Sequence, residues 1–421
     1  MKSASALPRF STTRFFTLTA LALLAGAGSA MAAEPSGPEV GQPPPACAEL
    51  DARVTAWPQW DRFKQGFLQA DGRVIDYATE IQQTTSEGQS YAMFFALVAN
   101  DPARFATLWA WSRANLGLGS DKLPAWQWGK RTDGSYGVVD ANSAADSDLW
   151  IAYALVEAGR LWAKPEYDAA GMKLLEQIKQ KEIVDLPKLG SMLLPGEVGF
   201  VLGPKQWRLN PSYLPLPLLR RMAAVDASGP WNAMASSTVQ LIRQAAPHGY
   251  APDWLLYDGA RGALPDTEKP GVGSYDAIRV YLWAGVTANG DPLAQPLRQA
   301  VGGMGRYVAA NQDKSGLPPE KVDTRSGAAE GKGPVGFSAG LLPYLKNSGQ
   351  DSSFKSQQQL VQERWNQATQ KPVHAADGSP TDGKGEFNYY NSVLTLFGLG
   401  WAQGRYRFDT DGKLLPAWVC N

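Results

Sequence analysis

Thr84-Thr85-Ser86-Glu87-Gly88-Gln89-Ser90-Tyr91-Ala92-Met93-Phe94-Phe95-Ala96-Leu97 runs from small polar residues directly into apolar ones. Ser86, with Gln89 three residues later, has the form of a capping box and sets a helix start there. Glu87 then stands at the mouth of an apolar helix. The construction recurs at Asp146-Ser147-Asp148 and at Tyr275-Asp276-Ala277, each before an apolar segment. Further starts lie at Asn210-Pro211-Ser212-Tyr213, Pro334-Val335-Gly336-Phe337-Ser338 and Phe387-Asn388-Tyr389-Tyr390-Asn391. Measured from Glu87, Asp146, Ser212, Asp276, Phe337 and Tyr390, the starts are roughly 53 to 66 residues apart. Each interval accommodates an inner helix, a loop, an outer helix and a return loop.

Six such units predict an all-α fold, an (α/α)6 barrel (toroid), with the six starts ringing one cleft. Leu149, Ala152, Leu155 and Val156 follow helical spacing in an inner segment, and Ala170, Leu174, Leu175 and Ile178 in an outer one. Strand alternation is scarce. Helix onsets recur in any α protein, so the spacing alone leaves other α architectures open.

The flanks say where such a domain would work. Lys2, Arg9 and Arg14 precede an apolar run from Phe15 to Ala27, and Ala30-Met31-Ala32 has the small-x-small form of a cleavage site. Residues 1–32 therefore read as an export signal, with a retained anchor as the alternative. Residues 33–46, with Pro43-Pro44-Pro45, read as an extended leader. Residues 47–421 read as a single domain without a membrane span. The expected location is periplasmic or secreted. In that setting Cys47 and Cys420, the only cysteines, are expected to pair as a disulfide closing the chain ends; two unpaired thiols are the alternative.

Forty basic and forty acidic residues balance, which predicts no nucleic-acid partner. With two histidines, His248 and His374, and two cysteines, neither a metal site nor a cofactor is expected, and carboxylates must carry any catalysis. Inverting glycoside hydrolysis needs one protonated carboxyl and one carboxylate that activates water, about 6.5–9.5 Å apart. Glu87, Asp146 and Asp276 at helix mouths facing one cleft would suit that task. The alternative is that they are helix caps, the ordinary role of Asp at such positions. Glu87 is the stronger candidate, because Ser86 already offers a capping oxygen. A general acid needs a raised pKa, for which Asp146 is a candidate neighbour. Fifteen tryptophans fit a sugar cleft, although core packing claims most buried indoles. Trp126, Trp128 and Trp207, read as loop residues, are candidate sugar platforms; Trp150 and Trp283, inside helices, are expected in the core.

Taken together, Ser86-Glu87-Gly88-Gln89-Ser90-Tyr91, Ala144-Ala145-Asp146-Ser147-Asp148-Leu149-Trp150, Leu209-Asn210-Pro211-Ser212-Tyr213, Tyr275-Asp276-Ala277-Ile278-Arg279, Gly333-Pro334-Val335-Gly336-Phe337-Ser338 and Tyr390-Asn391-Ser392-Val393 resemble glycoside hydrolase family 8 in the family's order. The resemblance is strongest to its periplasmic members that accompany bacterial cellulose synthase. It implies an (α/α)6 barrel and inverting endo-hydrolysis of β-1,4-glucan, with cellulose synthase components as possible partners. Glu87 matches the general acid and Asp276 the general base. Asp146 matches the signature aspartate, described either as a nucleophile or as a residue shaping the sugar ring; an inverting reaction favours the second. Arg279, Tyr275 and Asn210 match cleft positions, and Tyr390, which opens the last of these motifs, is a further substrate-binding candidate. The signature usually has Ser or Thr before that aspartate and Ala or Gly after it, where this chain has Ala145 and Ser147, so a hydroxyl contact to Asp146 would change sides. Other readings are the same fold acting on xylan, mixed-linkage glucan or chitosan, and a non-catalytic component that guides glucan.

Overall fold

A helix apolar around its whole circumference must be covered on every side, while one with a single apolar stripe can face water. The chain alternates the two kinds. The structure, a computed structural model, describes residues 56–117, 121–311, 316–375 and 379–419. The export segment 1–32, the leader 33–46 and the Cys47–Cys420 pair lie outside these residues.

Outer helix α1 (Pro58–Phe67) leads to inner helix α2 (Ser86–Val98), and α3 (Pro102–Leu116) to α4 (Ala145–Leu161). In the same way α5 (Pro165–Lys181) leads to α6 (Leu216–Val225), and α7 (Trp231–Ala245) to α8 (Ala277–Val286). Two short outer helices, α9 (Ala294–Ala300) and α10 (Gly302–Ala310), precede inner α11 (Val335–Asn347). Finally α12 (Asp351–Ala368) leads to inner α13 (Tyr389–Ala402). The result is the (α/α)6 barrel. Every residue of α8 is buried, and every residue of α2 except Glu87. Outer α5 buries only Gly171, Leu174, Leu175 and Ile178, with Ala170 half-covered.

The inner helices meet around an aromatic plug. Trp150 of α4, Trp283 of α8 and Phe397 of α13 have ring centroids 5.3–5.5 Å apart, and Phe95 of α2 reaches Phe397 at 4.7 Å. Trp150 and Trp283 are thus core residues, as their helical positions predict. Tyr91 sits edge-on to both Trp150 and Phe397. Its phenol oxygen marks the change from apolar barrel to polar mouth. Close helix approach depends on small residues: an added Cβ at Gly398 of α13 would run into the Ala339 carbonyl of α11, and one at Gly285 of α8 into the backbone of Tyr344.

Two features depart from the sequence reading. Five small antiparallel sheets occur among the described residues, mostly in the connections. Strand 84–85 runs into α2, strand 136–140 precedes α4, strand 206–209 precedes the 3-10 turn Pro211–Tyr213, and strand 272–273 precedes α8. These strands are two to five residues long, too short to show alternation. The capping box is also replaced. Thr85 is the N-cap, its Oγ1 accepting from Gly88 N–H at 3.0 Å. Gln89 is fully buried; its Oε1 accepts from Val74 N–H at 2.8 Å and its amide donates to Gly72 O and Ser112 Oγ at 3.0 Å. It satisfies the loop behind the helix, where water cannot reach those groups.

Gly398→Ala is expected to lower stability by about 1–3 kcal/mol through overpacking between α11 and α13. Urea denaturation measures the change; an unchanged midpoint would show that the two helices can separate freely.

Candidate active site

Glu87, Asp146 and Asp276 start three different inner helices, α2, α4 and α8, and the barrel turns all three mouths toward one point. Arg279 occupies that point. It lies three residues after Asp276, so both side chains share one face of the first turn of α8. Its Nη1 donates to Glu87 Oε2, to Tyr91 Oη at 3.2 Å and to Asp146 Oδ2 at 3.3 Å, while Nη2 donates to Asp276 Oδ1 at 2.6 Å. The three acidic residues are thus brought together by one guanidinium, which also lies over the Tyr213 ring at 5.7 Å. Burial opposes the charge on Arg279, but Glu87, Tyr91, Asp276 and Asp146 outweigh it and hold its pKa well above the usual value.

Exposure separates the carboxylates. The side chains of Glu87 and Asp276 are 27% and 28% accessible, that of Asp146 only 3%. Two therefore face the open mouth, while the third lies beneath. Burial, then the negative charge of Glu87, raises the Asp146 pKa to about 7; Arg279 and the Ser147 amide oppose the rise. Asp146 Oδ1 accepts from Ser147 N–H at 2.7 Å and from Ser147 Oγ at 3.2 Å, so the hydroxyl contact does sit on the C-terminal side. Behind it, the carboxyl groups of Asp148 and Glu182 are fully buried beside each other. Burial lifts both pKa values, and the charge of Glu182 lifts that of Asp148 further. Ser143 Oγ accepts from Glu197 N–H and donates to Glu182 Oε1 at 2.6 Å.

Asp276 occupies the N-cap position of α8, yet its side chain caps nothing. Its second oxygen accepts from Trp254 Nε1–H at 3.1 Å. Asp253 supplies the cap: its Oδ1 accepts from the N–H groups of Ser274, Asp276 and Ala277 at 2.7, 3.1 and 2.8 Å. Burial and the charge of Asp276 raise the Asp253 pKa to about 6 against those three amides.

The other predicted positions divide. Tyr275 is exposed, donates to Glu320 Oε1 at 3.1 Å and packs edge-on against Phe337; the Tyr390 hydroxyl donates to the Tyr275 carbonyl at 2.7 Å. Asn210 caps the 3-10 turn through Ser212, and its buried Nδ2 has no partner among the described residues. Trp126 is half-buried, and its carbonyl accepts from Ser86 N–H beside Glu87 at 2.9 Å. Trp128 is a strand residue stacked on Tyr136 with the Arg73 guanidinium 4.4 Å over its ring. Trp207 corrects the loop reading: it lies on strand 206–209, is 8% exposed and packs in the core, because alternation along the strand turns it inward toward Tyr257. Asp253, Glu182 and Tyr91 escaped the sequence reading, since each acts on a residue distant in the chain or from inside a helix. Among the described residues no group of His, Cys, Asp and Glu is arranged to hold a metal ion.

Comparison with known proteins concerns the chain as a whole. The chain matches the family described as Glycosyl hydrolases family 8 over residues 46–404. It is 46% identical over 377 residues to an endoglucanase of Xanthomonas axonopodis pv. citri (strain 306), covering 89% of this chain and 93% of that one. It is 44% identical over 364 residues to an endoglucanase of Escherichia coli (strain K12), covering 86% and 91%. The crystal structure of endo-1,4-D-glucanase from Vibrio fischeri ES114 superposes with a TM-score of 0.78 at 42% identity, covering 87% of this chain and all of that one.

Asp146 holds its proton more tightly folded than unfolded, where its ordinary value is 3.8. Between pH 4 and about 7 the folded state therefore binds more protons at this site, and its contribution to stability falls as pH rises. Asp146→Asn should lack this fall and gain stability relative to wild type on going from pH 5 to pH 8. Urea denaturation at the two pH values measures it; an unchanged difference between the proteins would exclude a raised Asp146.

Proposed function

Because the chain belongs to the glycosyl hydrolases of family 8, we propose that it is an endo-β-1,4-glucanase that cleaves cellulose-type glucan with inversion. The observation that carries this reading is the single guanidinium of Arg279 joined to three carboxylates of unequal exposure.

Glu87 is the general acid. Accessible at the mouth and held from below by Arg279, it hands a proton to the leaving glycosidic oxygen. Asp276 is the general base: Nη2 of Arg279 holds one oxygen and Trp254 the other, which orients the carboxylate toward a water on the opposite face of the sugar. Asp146 is too enclosed to attack carbon. It leans on the same Arg279 nitrogen as Glu87, so protonating either one eases the repulsion felt by the other. From that place it steadies the ring at the cleavage point and influences the proton on Glu87. Tyr275, Tyr390, Trp126 and Trp128 are the rings proposed to stack on sugars, and Asn210 offers an amide unpartnered among the described residues. The reading extends to the setting: export to the periplasm on residues 1–32, and cutting of glucan beside a cellulose synthase.

Glu87→Gln should lower cleavage of cellopentaose roughly 10²–10⁴-fold while folding and glucan binding persist, because an amide cannot donate an acidic proton. In the wild type, proton NMR of the first products should show the α-anomer before mutarotation. Turnover above roughly a tenth of wild type in the variant would remove Glu87 as the acid. An initial β-anomer would make Asp146 a nucleophile and end the inverting scheme.

A further inference from the structure

We propose that Asp253 is a positioning residue for Asp276: from a neighbouring loop it caps α8 and fixes the backbone that carries the Asp276 carboxylate. The proposal rests on the reading of Asp276 as the base.

An aspartate at an N-cap normally turns its oxygens back onto the first amides of its own helix. Asp276 stands at that position and does not. Its oxygens go to Arg279 Nη2 and Trp254 Nε1; the Ile278 and Arg279 amides that it would have capped go to the Ser274 and Asp276 carbonyls, while its own amide and that of Ala277 go to Asp253. One carboxylate oxygen of Asp253 gathers the amides of Ser274, Asp276 and Ala277, fixing the backbone on both sides of the base. Asp253 is itself 5% exposed and held at both ends. Its N–H donates to Val272 O at 2.7 Å, and the nearby Ala251 N–H donates to Tyr281 Oη of α8 at 3.0 Å. The loop meets strand 272–273 backbone to backbone at Gly273, where an added Cβ would strike the Ala251 carbonyl. Asp253 and Trp254 are adjacent in the chain, so one loop sets both the backbone and the side chain of Asp276.

The arrangement also acts through charge. The titratable groups facing Asp253 are Asp276, Tyr281 and Tyr390, with Arg279 beyond Asp276. Burial and the charge of Asp276 raise the Asp253 pKa to about 6, and Asp253 in turn sets a second negative charge beside the base. Asparagine at 253 keeps an acceptor oxygen for the amides but removes this charge.

Asp253→Ala, Asp253→Asn and Asp276→Asn are compared on cellopentaose, with folding followed by circular dichroism. Asp253→Ala should lose roughly tenfold to a hundredfold in kcat with KM within about threefold of wild type, the pattern of a misplaced base rather than lost binding. Asp253→Asn should recover most of kcat and move the acidic limb of the kcat/KM profile to lower pH. Wild-type kcat in Asp253→Ala overturns the proposal, as does an Asp253→Asn variant that is as impaired as the alanine variant with an unmoved limb. If the alanine variant fails to fold, the position of the limb in Asp253→Asn decides alone. An active Asp276→Asn variant instead overturns the base reading, and this proposal with it; an inactive Asp276→Asn beside a fully active Asp253→Ala overturns this proposal alone.

Discussion

Three acidic side chains converge at the mouth of the barrel because one guanidinium stands among them. Arg279 is buried, and a buried cation is costly unless paired; three buried or half-buried carboxylates facing one another are costly for the opposite reason. The planar fork suits both needs, since its two terminal nitrogens can serve several oxygens at fixed angles, which an ammonium cannot. The balance is still incomplete. One positive charge meets up to three negative ones, and the strain falls on the most buried carboxylate, Asp146, whose pKa rises to about 7. The site's proton inventory thus follows from its geometry.

That geometry is kept by the packing below it. Rings from α2, α4, α8 and α13 fill the barrel axis, and the phenol of Tyr91 both caps this plug and accepts from Arg279. The guanidinium therefore rests on a floor whose rings interlock edge to face and cannot shift singly without opening a void. Glycines at the helix crossings let the inner ring close tightly enough for α2, α4 and α8 to present their first turns to one another. A functional constellation on helix termini, backed by such a core, is held more firmly than one on loops.

The loops and short strands have the complementary task of settling backbone demands at the mouth without spending the functional carboxylates. Thr85 caps α2 in place of Ser86, and Asp253 caps α8 in place of Asp276. Glu87 and Asp276 are consequently left to face Arg279 and the cleft. The alternative reading of the acidic residues as plain helix caps is met unevenly: at α2 and α8 other side chains provide the cap, while at α4 Asp146 itself takes the Ser147 amide.

The sequence by itself determined the alternation of all-apolar and one-faced helices, the six starts, and the acidic residues at three of them. Each of these is a local property, carried by periodicity and by residue type near a helix end. Resemblance to a family added Arg279, Tyr275 and Asn210. Only the tertiary structure decided which partner each side chain takes. Gln89 has capping spacing but faces a loop 15 to 17 residues earlier, because its side of α2 is sealed from water. Trp207 looks like a loop platform but lies inward on a four-residue strand too short to reveal its own period. Asp253 bears on Asp276 from 23 residues away in the chain, a separation no local rule connects. Hydrogen bonds and burial are set by proximity in space, and proximity exists only once the barrel has closed.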